Sequence, residues 1–228
     1  MTNGAPAAGR RGSRIGGQLL IPAALFAAFL ALPVLTLIGR AIASGAFVSS
    51  GEASAVLGAL GLSLLTTALS LVLTVGLGLP LAVVLARRAF RGKWLLEAFV
   101  DLPIVLPPAV AGLALLLVLG RRGLLGGALQ ATGVDIAFTT IAVVIAQTFV
   151  SAPFFVRAAK AGIAGVDRDM EDAARVDGAS ELRLFWSVTA QLAGPTLAAG
   201  LVMTWARALG EFGATIMFAG NVVGRTQT

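Results

Sequence analysis

From Ala53 to Ala86 the chain runs without a charged residue, and so long a stretch of such low polarity has few ways to fold. In a bilayer every backbone N–H and C=O must find its partner inside the segment, which selects helices. A hydrocarbon core about 30 Å thick takes roughly 20 apolar residues in a helix. The run is too long for one upright helix, so its first residues are expected at the interface and the span proper from near Leu57. The whole chain shares this character, with 57% hydrophobic residues, 12% charged and a mean hydropathy of +0.93, against about 25% charged in an ordinary soluble domain. An all-α membrane protein, a polytopic helical bundle, is the fold class these runs predict.

About five spans are expected. Besides the second, they are Ile15 to Gly39, Phe99 to Leu119, Ile136 to Val156 and Val188 to Ala206. The third is interrupted by Pro103, Pro107 and Pro108, whose missing N–H groups free carbonyls that protein or water must satisfy. Phe212 to Val223 is too short and glycine-rich to span. Gly224 to Thr228 carries no closing apolar run, and a sixth, final helix is expected to be missing at the C-terminus. Residues 1–14 read as an N-terminal tail, its first dozen residues disordered. The first apolar run is long enough to be retained as a helix and lacks a small-residue cleavage site, which argues against a signal peptide.

The formal charge of +6 and the isoelectric point near 11.4 do not point to nucleic acid. The basic residues sit at the ends of apolar runs and form no stripe with interleaved aromatics. They read as topology signals. A cytoplasmic N-terminus puts most of the 17 basic residues inside, including Arg10, Arg11, Arg14, Arg87, Arg88, Arg91 and Lys93, as the positive-inside rule favours. The expected location is the cell membrane, multi-pass. The chain has no Cys and no His, which removes thiolate nucleophiles, disulfides and the common zinc ligand sets. Neither Lys93 nor Lys160 stands in a phosphate-binding G-x-x-x-x-G-K-[ST] context, and Gly76-x-Gly78 lies inside an apolar helix without a strand or an acidic partner. No bound cofactor and no enzymatic activity of the chain's own are expected.

The charged run from Asp167 to Pro195 stands apart. Met170 to Val176 favours a short helix with Glu171 and Asp172 in its first turn, where the helix dipole favours acids. Gly178 then supplies a permissive backbone for a change of direction. Small Ala173 and Ala174 would allow close approach to a groove on a partner; a solvated loop with one helical turn is the alternative. Glu171, Ala173, Ala174 and Gly178 read E-x-A-A-x-x-x-G in a loop on the cytoplasmic side, which resembles the ATPase-coupling loop of type I ABC importer permeases. Two departures are Asp172 where an Ala is usual and Ala193-Gly194-Pro195 in place of the closing Leu-Pro. Asp101-Leu-Pro-Ile-Val-Leu-Pro-Pro-Ala-Val-Ala-Gly112, with Leu119-Gly-Arg-Arg-Gly123 after it, and Arg207-Ala-Leu-Gly-Glu-Phe-Gly-Ala-Thr215 are similar to the molybdate permease subfamily, with sulfate and thiosulfate permeases next nearest. The similarity covers about residues 55–225 of a transmembrane domain assigned to 15–228. It implies a homodimer in lipid that works with two separate ATPase subunits, which hold the ATP and Mg²⁺, and with a periplasmic or extracellular oxyanion-binding protein. A membrane scaffold recruiting a soluble partner through the same loop is the rival reading.

Arg207 and Glu211, four apart, share a helix face near an interface. They are a possible gate on the pathway or a structural ion pair. Glu97 and Asp101 likewise share a face beside Lys93, with a solvated or packing role expected. Arg121 and Arg122 form an external basic pair, either attracting an oxyanion or simply exposed. Thr66, Thr67, Thr139 and Thr140 are expected to bond helix carbonyls. Small residues spaced for close helix contact occur at Ala24 and Ala28 and around Gly112.

Overall fold

The computed structural model describes residues 14–43, 50–222 and 226; the first thirteen residues of the expected tail and most of Gly224 to Thr228 lie outside them. Among the described residues all regular structure is helical. The chain divides into two units, Met1–Ala55 and Val56–Thr228. In the first, α1 (Arg14–Ala43) runs unbroken past Pro22 and Pro33. Its side chains from Leu19 onward are exposed on all sides, Ala24 and Ala28 included, with Ala41 half-buried. An apolar surface on every side suits lipid.

The second unit is organised around α6 (Thr140–Ala164), the most buried of the long helices. One end of α6 joins a core of Ala82, Leu85, Phe155, Ala159, Ile163 and Ala193, shared with α2 (Ser50–Arg87). The other end joins Ala111, Val143, Ala146, Val150, Ala214 and Phe218, shared with α4 (Pro108–Leu119) and α11 (Gly213–Phe218). The polar faces of α2 and α6 meet between these cores. Gln147 Nε2 donates to Thr67 Oγ1 at 3.4 Å, and the Thr148 and Ser70 hydroxyls lie 3.1 Å apart. Such contacts hold helices together in lipid, where apolar side chains give no preference for protein over hydrocarbon.

Five spans are expected from the apolar runs; the described helices divide differently. Three single helices, α1, α2 and α6, are long and apolar enough to cross a membrane, and a fourth crossing exists if the bent pair α3 (Lys93–Val105) and α4 is one span. The uncharged second run forms one helix from Ser50, beginning seven residues before the expected Leu57; at about 1.5 Å per residue it exceeds the roughly 30 Å hydrocarbon thickness. The third run is not straight: α3 and α4 diverge by 119°. Leu106, pushed out of the helical region by the proline after it, lies at φ −69° and ψ 134°, and Pro107 with Pro108 starts α4 where missing N–H groups are tolerated. The fifth run, Val188 to Ala206, falls on the end of a π-helical segment (Phe185–Thr189), α9 (Ala190–Leu192) and most of α10 (Gly194–Leu209), with α8 (Glu181–Leu184) before it; none is long enough alone to span. The short α5 (Gly126–Ala131) lies between α4 and α6.

Close approach is set by missing side chains. A Cβ on Gly162 would stand 2.9 Å from Thr196 Cβ, and one on Gly200 would stand 2.7 Å from Ala158 Cβ, so α6 and α10 run antiparallel in direct contact. Gly112 is tighter: a Cβ there would come within 2.5 Å of the Ala214 carbonyl oxygen and 2.8 Å of Met217 Cβ. Gly76, by contrast, has nothing within 4 Å of that position. Gly112→Ala should therefore destabilise the detergent-solubilised protein by about 1–3 kcal/mol through overpacking of α4 against α11, read as a fall in thermal unfolding temperature, while Gly76→Ala should not lower it.

Candidate functional site

Helix α7 (Arg168–Val176) is nine residues long, too short to be stable by itself in water. Its ends are secured locally. Asp167 Oδ1 accepts from the Asp169 amide at 3.0 Å, and Asp169 and Glu171 place carboxylates in the first turn, where the dipole favours them. At the other end Gly178 takes φ +83°. The Ala179 amide donates to the Ala174 carbonyl and the Gly178 amide to the Arg175 carbonyl, both at 3.0 Å. This is the paired closure of a Schellman cap, which needs a left-handed residue at that position. Gly178 is thus the residue that ends α7 and turns the chain.

Arg175 completes the corner, with Nη1 2.6 Å from Asp172 Oδ1 and Nε 2.8 Å from Glu181 Oε1. The hydrogen bond from Arg175, aided by its charge, holds the Glu181 carboxyl below the usual carboxylate range. Glu181 and, secondly, Asp172 raise the guanidinium above its own. Because the Glu181 value is depressed, whatever this contact adds to stability is present at neutral pH and lost only as pH falls through the lowered folded value. Both groups are solvated, so the contribution is small.

Glu171 is different. It is 5% exposed. Its Oε1 accepts from Arg87 Nη2 at 2.5 Å and from Thr189 Oγ1 at 2.7 Å. One carboxylate therefore joins the end of α2, the loop helix and the π-helical segment. On a helix of 3.6 residues per turn Glu171 and Ala173 are roughly 200° apart, so the motif is split between two faces. Glu171 points into the protein; Ala173 is exposed, flanked by exposed Met170 and Val176 one turn to either side. Ala174 is half-buried between them. Beside Glu171 opens a groove of about 830 Å³, floored by Leu79, Pro80, Val83 and Phe185 and edged by Arg87, Arg88, Arg168 and Arg175.

Arg207 and Glu211 meet, Nη2 to Oε2 at 2.6 Å, with the Glu211 side chain 1% exposed. Glu211 Oε1 also accepts from the Ala214 amide at 2.7 Å, so the acid closes α10 to α11 across the break at Gly210. Glu97 accepts from Lys160 at 2.6 Å, and Asp101 lies 3.6 Å from Arg157; these pairs stitch α3 to α6. Arg121 is engaged with Asp135 at 2.9 Å. Thr66 donates to the Leu62 carbonyl at 2.9 Å and Thr139 to that of Ile136 at 2.6 Å, while Thr67 instead accepts from Gln147. Spacing does not reveal Arg87 or Thr189 as partners of Glu171: Arg87 reads as one more topology charge, and Thr189 carries no local signal.

Residues 78–228 match the family model described as "binding-protein-dependent transport system inner membrane component". The chain is 48% identical over 170 residues to the molybdenum transport system permease protein ModB of Mycobacterium bovis, an alignment covering 75% of this chain and 64% of that protein. It is 42% identical over 168 residues to the permease of the same name from Escherichia coli K12, covering 73% of each, and 39% identical over 169 residues to the probable transport system permease protein NifC of Clostridium pasteurianum, covering 73% of this chain and 59% of that one. The chain thus spans less than two thirds of the length of the mycobacterial and clostridial relatives.

If the Arg207–Glu211 pair is structural, Arg207→Met should leave a buried carboxylate without its counter-charge and cost about 3–5 kcal/mol. Arg207→Met with Glu211→Gln should recover most of it, because the amide oxygen can still accept from Ala214. Thermal unfolding in detergent reads both, and equal stability of the single and double variants would refute the structural role.

Proposed function

Since the chain belongs to the family of binding-protein-dependent transport system inner membrane components, we propose that it is the permease subunit of an ATP-driven oxyanion importer, with molybdate as cargo. The observation that carries the reading is the divided face of α7. Met170, Ala173 and Val176 form an exposed, slender apolar stripe at i, i+3, i+6 on a helix otherwise rich in charge, the pattern of a helix that lies in another protein's groove. The chain holds no phosphate-binding lysine motif, so the energy comes from a separate ATPase, with ATP and Mg²⁺ bound there. The cargo is drawn from the names of the molybdenum permeases it is similar to.

In this reading two copies of the chain form the pathway between them, and an external oxyanion-binding protein delivers substrate. The loop carrying α7 lies in the cytoplasm with the N-terminus on the same side. Closure of the ATPase pair pushes α7, and the helices attached to it switch access from one face of the membrane to the other. The chain's own part is mechanical and selective rather than catalytic. Its permissive corner at Gly178 sets the angle at which α7 leaves the bundle.

Reconstituted with a cognate ATPase and an oxyanion-binding protein, the chain should accumulate labelled molybdate in vesicles only with ATP; tungstate should compete and sulfate compete weakly. Absence of ATP-dependent uptake of any oxyanion would sink the cargo reading. Separately, Val176→Asp should weaken co-purification with the ATPase by about tenfold or more, as expected when a charge enters the apolar contact of a docked helix, without changing the thermal unfolding of the isolated permease. Gly178→Pro, which removes an amide that caps α7 and forbids its φ, should abolish coupled uptake.

A further inference from the structure

We propose that Arg87 and Thr189 are positioning residues that clamp Glu171, so that α7, the end of α2 and the π-helical segment move as one body and force on α7 enters the transmembrane helices through this carboxylate. The proposal rests on the importer reading above. It concerns the inward face of the loop helix, opposite the stripe assigned to the ATPase.

The geometry leaves few other routes. Among the described residues, Arg87–Glu171 is the one ion pair joining α7 to a long transmembrane helix; the pairs made by Arg175 stay within α7 and α8. Glu171 Oε1 receives two donors from elements 84 and 18 positions away in sequence. A nearly water-free carboxylate holding a guanidinium resists separation, because pulling the partners apart leaves a buried charge uncompensated. An exposed pair would slip through water at little cost. Both ends of the clamp sit where the helix ladder is weakened. Pro80 removes a backbone donor from α2 about two turns before Arg87, and Thr189 is the last residue of the π-helical turn Phe185–Thr189, an irregularity often found at working parts of helices. Beyond Thr189 the helix carries Ala193 into the core around Ile163. Displacement of α7 is thereby passed to α2 on one side and towards α10 on the other.

The test uses the full complex with its ATPase. Because the chain has no native cysteine, spin labels on Ala89→Cys and Asp177→Cys report the distance between the end of α2 and the end of α7. A clamp predicts a narrow distribution that does not move between nucleotide-free and ATP-trapped states, and one that broadens and becomes nucleotide-dependent with Arg87→Ala or Glu171→Gln. In vesicles the same two substitutions should lower oxyanion uptake per ATP hydrolysed by about tenfold, within the range by which residues that touch neither ligand tune coupling. The exchange Arg87→Glu with Glu171→Arg should restore at least half of it, which a purely local packing role would not.

Unchanged label distances and unchanged uptake per ATP in assembled Arg87→Ala complexes would overturn the clamp, as would an exchange variant that assembles yet stays uncoupled. If the charge variants do not assemble, Thr189→Val, which removes only a hydroxyl, decides: a several-fold loss of uptake per ATP supports the clamp, and none refutes it. The label distances need ATP but no cargo. Failure of the unaltered complex to take up any oxyanion therefore refutes the cargo reading, while the clamp still stands or falls on the distances.

Discussion

The burial of one carboxylate organises the end of the molecule where the loop helix sits. Glu171 has left water almost entirely, and a charge in that state must be paired and hydrogen-bonded. Arg87 and Thr189 meet both requirements, and in doing so they set the rotation of α7 about its own axis. Once Glu171 faces inward, Met170, Ala173 and Val176 have no choice but to face outward. The exposed apolar stripe is a consequence of the buried ion pair on the opposite side. A helix of nine residues could not hold that orientation by propensity, and its caps at Asp167 and Gly178 define where it starts and stops without defining which face it shows.

The rest of the second unit answers a different demand. In lipid, apolar side chains gain nothing by meeting one another, so helices associate through close backbone approach and through polar contacts. Gly200 against Ala158 and Gly112 against Ala214 supply the first. Gln147 with Thr67, and Thr148 with Ser70, supply the second. The ion pairs of Glu97 and Asp101 add a seam between α3 and α6. The buried Glu211 belongs to the same economy of charge: Arg207 neutralises it while the Ala214 amide takes its second oxygen, so the chain can break and turn inside the unit without an orphaned acid.

Much of this is legible in the residues. Uncharged runs announce α1, α2 and α6 because no soluble environment suits them. Glu171 in the first turn and Gly178 mark α7, since capping depends on near neighbours, though the helix begins at Arg168, two residues before the expected Met170, because Asp167 caps it and brings Asp169 rather than Asp172 into the first turn. Pro107 and Pro108 mark a break for the same reason, though not its size: the 119° between α3 and α4 depends on α4 finding Ala214 and Met217 beside Gly112. Length alone misleads for α2, which continues as helix through a segment assigned to the interface, and for the fifth run, which starts in a π-helical turn and is interrupted at Ala193. Glu171 is visible as a motif residue, but its burial and its tie to Arg87 are not, because nothing local distinguishes an acid that will be buried from one that will be solvated.

What the chain determines by itself is therefore what short-range physics controls: an all-helical membrane protein, the prolines and caps that break or end a helix, the lack of a phosphate-binding lysine motif in its residues, and a capped charged helix between apolar segments. What only the tertiary structure decides is that side chains 84 residues apart, Arg87 and Glu171, meet as hydrogen-bond donor and acceptor, which glycines are contacts and which are idle, and which face of α7 is free. Those outcomes depend on how separately formed helices cross and rotate, and that is set by the joint packing of all of them in a medium that rewards close fit and paired charge.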